Sequence, residues 1–226
     1  MQVIVLADGD VGSRSALDAV WPGWLEPGAR VIAADGGARH ATPLDLAIDR
    51  WVGDGDSLGE AGIAALAAAG VPIERSRPDK DESDTELAVL AALALGATRL
   101  VILGALGGPR LDHALANLGL LAMPELAGLD VRLVAVETRV RLLVAPDRAG
   151  AAVTLDLAGR VGDLVSLLTV SAEATGVTTT GLAYPLRDEP LLLGRTRGLS
   201  NIRESADASV VLREGRLLVV ETPATL

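Results

Sequence analysis

Short apolar runs alternate with longer helical stretches between Val3 and Val144. This alternation is typical of βαβ units, which assemble into a parallel sheet. The hydrophobic pattern predicts strands at 3–7, 30–34, 47–52, 71–75, 100–103 and 131–136, and helices at 12–20, 37–41, 59–69, 83–95 and 112–121. Ser83 or Asp84 is placed to cap the fourth of these helices.

The pattern changes after Pro146, where Thr and Val alternate in short segments separated by Gly, Pro and Asp. Such segments indicate antiparallel strands, spaced here as in a small sandwich. The segment Arg213–Arg216 predicts a hairpin turn between the last two strands. We therefore predict an α/β domain at 1–146 and an antiparallel β-sandwich at 147–226, with strands at 152–157, 164–170, 176–180, 191–193, 209–212 and 217–221.

Composition excludes several kinds of chemistry. The chain has 226 residues and no cysteine, so disulfides, thiolate catalysis and cysteine-based metal sites are excluded. No basic segment precedes the first apolar run, and no apolar stretch of about 18 residues runs without a charge or a glycine. We expect a cytoplasmic protein that does not enter a membrane.

Net charge argues against one class of partner. The formal charge is −10, whereas duplex binding rests on neutralising phosphates with Lys and Arg, so we expect no nucleic acid partner. Lys80 is the only lysine and stands inside an acidic segment. It is either a solvated ion-pair partner or a compact ammonium required near phosphate or carboxylate groups.

Two acidic segments stand where a predicted strand gives way to a helix: Gly53–Ser57, which contains Asp54 and Asp56, and Asp79–Glu86. Open α/β sheets bind ligands at that edge. If the segments converge, each carboxylate pair at about 4 Å repels by roughly 4 kcal/mol at an effective dielectric of 20, and a divalent cation relieves this. Hard oxygen ligands favour Mg²⁺ together with substrate phosphates. A polar turn and a charged helix start are the alternatives.

Two glycine-rich segments, at 34–38 and 104–113, also join a strand to a helix. Glycines there allow the backbone to approach a phosphate, and an arginine can clamp it. A plain connecting turn, an N-cap and a surface histidine are the alternative interpretations. The P-loop and dinucleotide-binding motifs are both absent. The candidate residues of these segments are Asp35, Gly36, Gly37, Arg110, Asp112 and His113.

Taken in order, these four segments resemble thiamine pyrophosphokinase, and the likeness continues into the C-terminal part at 166–168, 180–186 and 198–201. The resemblance implies a Rossmann-like α/β catalytic domain, a C-terminal β-sandwich and a homodimer with active sites between subunits. It also implies that pyrophosphate passes from ATP to the hydroxyethyl group of thiamine, giving thiamine diphosphate and AMP, with Mg²⁺ as the metal.

The resemblance also implies residue roles. Gly55 departs from the family, which usually has Phe there, and this predicts a looser loop or room for another ligand. The implied roles are metal binding by Asp54, Asp56 and Asp84; catalysis by Asp56, Asp84, Asp112 and Arg110; ATP binding by Asp35, Gly36, Gly37, Lys80, Arg110 and His113; and thiamine binding by Tyr184, Ser200 and Asn201.

Two alternatives share the acidic segments. One is a related ATP-dependent diphosphokinase acting on a hydroxymethylpterin, because those segments address nucleotide and metal but not the acceptor. The other is a non-catalytic nucleotide or thiamine sensor. The substitution Asp56→Asn separates the last case, since it abolishes turnover in an enzyme and only weakens binding in a sensor.

Overall fold

The computed structural model describes residues 1–145 and 151–224. Its contacts divide the chain into two compact units, Met1–Val136 and Glu137–Leu226. The boundary predicted between 146 and 147 lies outside the described residues. None of the helices in the described ranges is both long enough and apolar enough to cross a membrane.

A six-stranded parallel sheet forms the centre of the first unit, and this confirms the predicted α/β class. Its first strand is buried along its whole length, as expected where helices cover both faces of a sheet. The strand order is β6-β5-β1-β2-β3-β4. The strands are β1 (Gln2–Leu6), β2 (Arg30–Ala34), β3 (Arg50–Gly53), β4 (Ile73–Arg75), β5 (Arg99–Leu103) and β6 (Asp130–Ala135).

Helices connect these strands. They are α1 (Arg14–Val20), α2 (Gly59–Ala68), α3 (Asp84–Ala94) and α4 (Leu111–Leu120), with short 3-10 helices at Asp35–His40 and Pro124–Leu126. Of the two predicted caps of α3, Ser83 is the one observed, because its hydroxyl accepts a hydrogen bond from the backbone N–H of Glu86 at 3.1 Å. The cap fixes where α3 begins, and therefore where Asp84 lies.

The strand order also predicts where a ligand binds in the first unit. Strand β1 lies between β2 and β5, so the chain runs outward from β1 in one direction and from β5 in the other. At such a switch point the connecting loops diverge and leave a crevice beyond the carboxyl ends of the strands. The loops after β1, β2, β3 and β5 all begin at this edge.

Two antiparallel sheets make up the second unit, as predicted. One has the order β12-β9-β14-β7 and the other β11-β10-β13-β8. Buried side chains from both sheets form one apolar core, the arrangement of a β-sandwich. The strands are β7 (Thr138–Val144), β8 (Val153–Leu157), β9 (Leu164–Thr169), β10 (Glu173–Thr180), β11 (Glu189–Leu192), β12 (Asn201–Ile202), β13 (Ala208–Leu212) and β14 (Arg216–Thr222). Strands β7 and β12 were not predicted.

The hairpin predicted at Arg213–Arg216 is wrong. Strand β13 pairs with β10 and β8, whereas β14 pairs with β7 and β9, so this turn carries the chain from one sheet to the other. Glu214 instead forms an isolated bridge with Thr175. Local turn residues predict a reversal of the chain, but the hydrogen-bonding partners of each strand are set by the sandwich.

The second unit contains a buried charge cluster. The Glu221 carboxylate accepts hydrogen bonds from Arg139 Nη2 and Nε at 2.8 and 2.9 Å and from Arg141 Nη2 at 2.9 Å. The backbone N–H of Ala158 donates to the same carboxylate at 3.1 Å. All three charged side chains are buried. Glu221 thus has several hydrogen-bond donors and two positive partners.

Candidate active site

Three carboxylates meet at the carboxyl edge of the parallel sheet. Asp35 follows β2, Asp54 follows β3 and Asp84 opens α3. One oxygen from each lies within 4.8 Å of the others, and we call these three residues the carboxylate group. The two acidic segments therefore converge, but the third member comes from the Asp-Gly-Gly segment.

Asp35 is held tightly in this group. Its side chain is 3% exposed and accepts hydrogen bonds from the backbone N–H groups of Ser57 and Leu58 at 2.9 and 3.2 Å. Burial raises the pKa of Asp35, and a hydrogen bond with Asp56 and the charge of Asp84 act in the same direction, against the two backbone donors. The sequence assigned Asp35 to the nucleotide, whereas the structure places it among the carboxylates that face one another.

Asp54 and Asp84 share one cation. Lys80 Nζ lies 2.8 Å from Asp84 Oδ1 and 3.4 Å from Asp54 Oδ2. The pKa of Asp54 is lowered, first by the backbone N–H of Asp56 and then by the charge of Lys80. Burial alone would lower the pKa of Lys80, but the hydrogen bonds and charges of Asp84 and Asp54 outweigh it and the pKa is raised. Lys80 is therefore an ammonium fixed between carboxylates.

Asp56, the other predicted metal ligand, lies outside the carboxylate group. Its side chain is exposed, and its Oδ1 accepts a hydrogen bond from the Ser57 hydroxyl at 3.1 Å. Its backbone N–H donates to Asp54 Oδ1 at 3.0 Å, so Asp56 shapes the loop that holds Asp54. Gly55 between them has φ +90°, and a Cβ there would lie 2.5 Å from Ile63 Cδ1. The left-handed backbone favours glycine at 55, and a Cβ there would also displace the end of the Ile63 side chain.

A cavity of about 340 Å³ opens beside the carboxylate group, at the switch point of the sheet. Basic side chains reach it from the segments just before α3 and α4, and acidic ones from the loops after β1 and β2 and from the start of α3. Its charged lining residues are Asp8, Asp35, Lys80, Asp84 and Arg110, with His113 and Asn117 beside them. This volume accommodates a small polar ligand such as the phosphates of a nucleotide.

Arg110 and Asp112 form a two-pronged ion pair at the mouth of this cavity. Arg110 Nε and Nη2 donate to Asp112 Oδ1 and Oδ2 at 2.9 and 2.6 Å. These bonds hold the pKa of Asp112 well below its usual range and raise that of Arg110. Both side chains are exposed. His113, the next residue along α4, is also exposed.

The Gly36-Gly37 pair packs against β1. A Cβ at Gly37 would lie 2.0 Å from the Leu6 carbonyl oxygen, and one at Gly36 would lie 2.5 Å from Asp8 Oδ2. The glycines therefore allow the first turn of the 3-10 helix to contact the end of β1. This packing brings Asp35 over the edge of the sheet.

Three further residues of the site were missed. Arg39 joins two loops, since Nη2 lies 2.5 Å from Asp8 Oδ1 and Nη1 donates to the Ser57 carbonyl at 3.0 Å. Buried Asn117 donates from Nδ2 to the Ala105 carbonyl at 3.0 Å and so ties α4 to the loop after β5. Asp8 stands directly after a predicted strand, which was a usable signal. Arg39 and Asn117 lie inside helical segments, and nothing in the sequence marked them as site residues.

The residues assigned to thiamine lie in the second unit, around the start of β12. Asn201 Oδ1 accepts from the backbone N–H of Tyr184 at 3.0 Å, and Asn201 Nδ2 donates to the Tyr184 carbonyl at 2.7 Å. The Tyr184 side chain is 66% exposed. Ser200 has φ +55°, and its N–H donates to the Ser166 hydroxyl at 3.0 Å. The structure thus joins Tyr184 and Asn201 through the backbone and leaves the ring exposed.

Comparisons with known proteins agree on one family. A model of the thiamin pyrophosphokinase catalytic domain matches residues 25–133, and a model of the thiamin pyrophosphokinase vitamin B1 binding domain matches residues 152–217. The chain is 25% identical over 170 residues to the thiamine pyrophosphokinase of Bacillus subtilis strain 168, covering 75% of this chain and 76% of that protein.

Solved structures agree in fold. The thiamine pyrophosphokinase structure from Bacillus subtilis superposes with a TM-score of 0.80 at 21% identity, covering 99% of each chain. The one from Geobacillus thermodenitrificans gives a TM-score of 0.80 at 23% identity, covering 100% of this chain and 99% of the other. The two family models lie in order and together span more than half of the sequence. The chain belongs to the thiamin pyrophosphokinase family.

Proposed function

We propose that this chain transfers pyrophosphate from ATP to the hydroxyethyl group of thiamine and releases AMP. The observation that carries the proposal is the carboxylate group beside a cavity with Lys80 and Arg110 on its walls. Carboxylates that face one another suit a divalent cation, and the two basic side chains suit phosphate oxygens. Family membership supports thiamine as the acceptor.

The residues present fit Mg²⁺. Asp35, Asp54 and Asp84 offer hard oxygen ligands within 4.8 Å of one another. Bound there with the nucleotide, Mg²⁺ would neutralise charge on the phosphate oxygens. We assign the metal to Asp35, Asp54 and Asp84, with Asp56 holding the loop of Asp54 through its backbone. That the Asp56 side chain also binds the metal, as the family resemblance implies, stays a prediction.

The proposed reaction forms one P–O bond and breaks another. The thiamine hydroxyl oxygen attacks the β-phosphorus of ATP, the bond from that phosphorus to the oxygen shared with the α-phosphate breaks, and AMP leaves with that oxygen. The proton of the thiamine hydroxyl passes to water. Such transfers depend mainly on positioning and charge stabilisation. Lys80 and Arg110 hold the phosphates. Because its pKa is depressed, Asp112 is a weak base, so we assign it to orienting Arg110.

The acceptor is assigned to the second unit. The exposed Tyr184 ring offers an aromatic face on which the aminopyrimidine would stack. Asn201 fixes the backbone on either side of it, and Ser200 leaves its hydroxyl exposed for a hydrogen bond. A homodimer and a cytoplasmic location complete the proposal, supported by the family resemblance.

Product analysis tests the reaction. Purified protein is incubated with thiamine, ATP and Mg²⁺, and the products are separated by chromatography. We expect thiamine diphosphate and AMP in equal amounts. Formation of ADP instead would contradict pyrophosphate transfer. Turnover with a hydroxymethylpterin but not with thiamine would overturn the acceptor assignment, and binding without any turnover would indicate a sensor.

A matched pair of variants tests the site. Asp84→Asn removes one member of the carboxylate group, and we expect thiamine diphosphate formation to fall about 1000-fold, equivalent to roughly 4 kcal/mol of barrier. Asp79→Asn changes an exposed carboxylate of the same segment, one that pairs with Arg77, and this variant should retain activity. Equal losses in both variants, or full activity in Asp84→Asn, would contradict the site assignment.

A further inference from the structure

The ion pairs of Lys80 differ from an ordinary surface salt bridge. The Lys80 side chain is 13% exposed and reaches two members of the carboxylate group. Three residues earlier, Arg77 pairs with Asp79 while the two side chains are 82% and 72% exposed. The ion pairs of Lys80 are thus largely buried, whereas the ion pair of Arg77, in the same short segment, is exposed. Only the Lys80 pairs lie at the candidate metal site.

The oxygens that Lys80 contacts are ones that a metal would need. Nζ lies 2.8 Å from Asp84 Oδ1 and 3.4 Å from Asp54 Oδ2. A Mg²⁺ ion coordinates oxygens at about 2.1 Å and demands regular geometry. An ammonium paired this closely with the same carboxylates would lie close to the ion and repel it. The ammonium and the metal therefore compete for Asp54 and Asp84.

The Lys80 side chain is suited to moving away from these two carboxylates. Lysine has a compact charge on a flexible four-carbon stem, whereas arginine has a planar fork that locks onto a carboxylate. The chain uses arginine for every other positive side chain except its two histidines, so the single lysine stands where the charge would have to move. Lys80 also lines the cavity assigned to the phosphates, so a negatively charged destination is adjacent.

From these contacts we propose that Lys80 is the resident counter-ion of the metal site. In the metal-free protein its ammonium compensates Asp54 and Asp84, and on loading it turns from these carboxylates to the phosphates of the nucleotide. This inference rests on the proposed function, because it takes the carboxylate group as the metal site. It makes metal alone a weak ligand and couples metal binding to nucleotide binding.

Calorimetry with Mg²⁺ alone tests the competition without any turnover. In Lys80→Met the resident charge is absent, so we expect Mg²⁺ to bind about tenfold more tightly than to the wild type. Mg²⁺ with α,β-methylene-ATP should bind about tenfold more weakly, because the phosphates lose their cation. Arg77→Met removes a charge from the same segment without touching the carboxylate group, and both affinities should change less than about twofold.

An NMR measurement on the unmodified protein serves if Lys80→Met does not fold. Because Lys80 is the only lysine, protein labelled with ¹⁵N-lysine has a single side-chain ammonium signal. We expect Mg²⁺ to shift or broaden this signal, while KCl at equal ionic strength leaves it in place.

Two results would overturn the inference. One is equal or weaker binding of Mg²⁺ alone to Lys80→Met, including no detectable binding to either protein. The other is a lysine signal that stays unchanged while Mg²⁺ saturates its site. Failure of the proposed function is a separate result. It would show as absence of thiamine diphosphate in the product assay, whatever the metal affinities are.

Discussion

Carboxylates in the two units have opposite charge environments. In the second unit a single carboxylate, Glu221, is buried with two arginines and a backbone donor. In the first unit three carboxylates meet, and two of them, Asp54 and Asp84, share one ammonium, that of Lys80. Glu221 has more positive partners than it needs, whereas the carboxylate group has fewer.

The difference separates a structural site from a functional one. A buried carboxylate with several donors is fully satisfied and has no capacity left for a ligand. A group of carboxylates with too little positive charge is destabilised by its own repulsion, and a divalent cation relieves that repulsion. Counting acids near one another does not distinguish these cases, but counting the cations and N–H donors around them does.

The largest expected effect is on stability, in Glu221→Gln. The change leaves Arg139 and Arg141 buried without their carboxylate, which should cost about 3 to 5 kcal/mol of unfolding free energy. Urea denaturation measures it, with exposed Glu214→Gln as the matched control at less than about 0.5 kcal/mol. Asp84→Asn should instead change stability by less than about 1 kcal/mol while losing activity. Equal stability of the two glutamate variants would break the comparison.

A smaller effect is expected in the loop that holds Asp54. Gly55 and Gly59 both have left-handed backbones, with φ +90° and +78°, so Ala costs about 1 kcal/mol of backbone strain at either. At Gly55 a Cβ also meets Ile63, whereas nothing lies within 4 Å at Gly59. We expect Gly55→Ala to lose about 1 to 2 kcal/mol more than Gly59→Ala and to raise the KM for ATP. The same urea titration and steady-state kinetics check this, and equal losses would show that the loop yields around Ile63.

The smallest expected effect is a pH dependence set by Asp35. Burial raises its folded-state pKa above the ordinary 3.8, so the folded protein binds more protons than the unfolded chain between those two values. The stability of the wild type relative to Asp35→Asn should therefore fall as pH rises through that window and stay constant above it. Unfolding curves at a series of pH values in chelator test this. Parallel curves for the two proteins would show that the surroundings of Asp35 do not oppose the loss of its proton.

Much of the site was predictable because it lies at strand ends. Asp54, Lys80 and Asp84 stand in acidic segments that follow predicted strands, and the carboxyl ends of parallel strands share one edge. Asp35 was also found, as a candidate for nucleotide binding, but sequence order does not show that its side chain turns toward Asp54 and Asp84. Asn117 was missed because a polar residue within a helix is ordinarily exposed.

The sequence by itself determined the α/β and antiparallel halves, the cap of α3 and the family, because hydrophobic period, turn chemistry and motifs are local properties of the chain. Tertiary structure alone decided which sheet receives β14, which carboxylates share a cation, and that Arg139 and Arg141 close on Glu221. These depend on side chains far apart in sequence. Their burial and mutual charge exist only once the strands are packed.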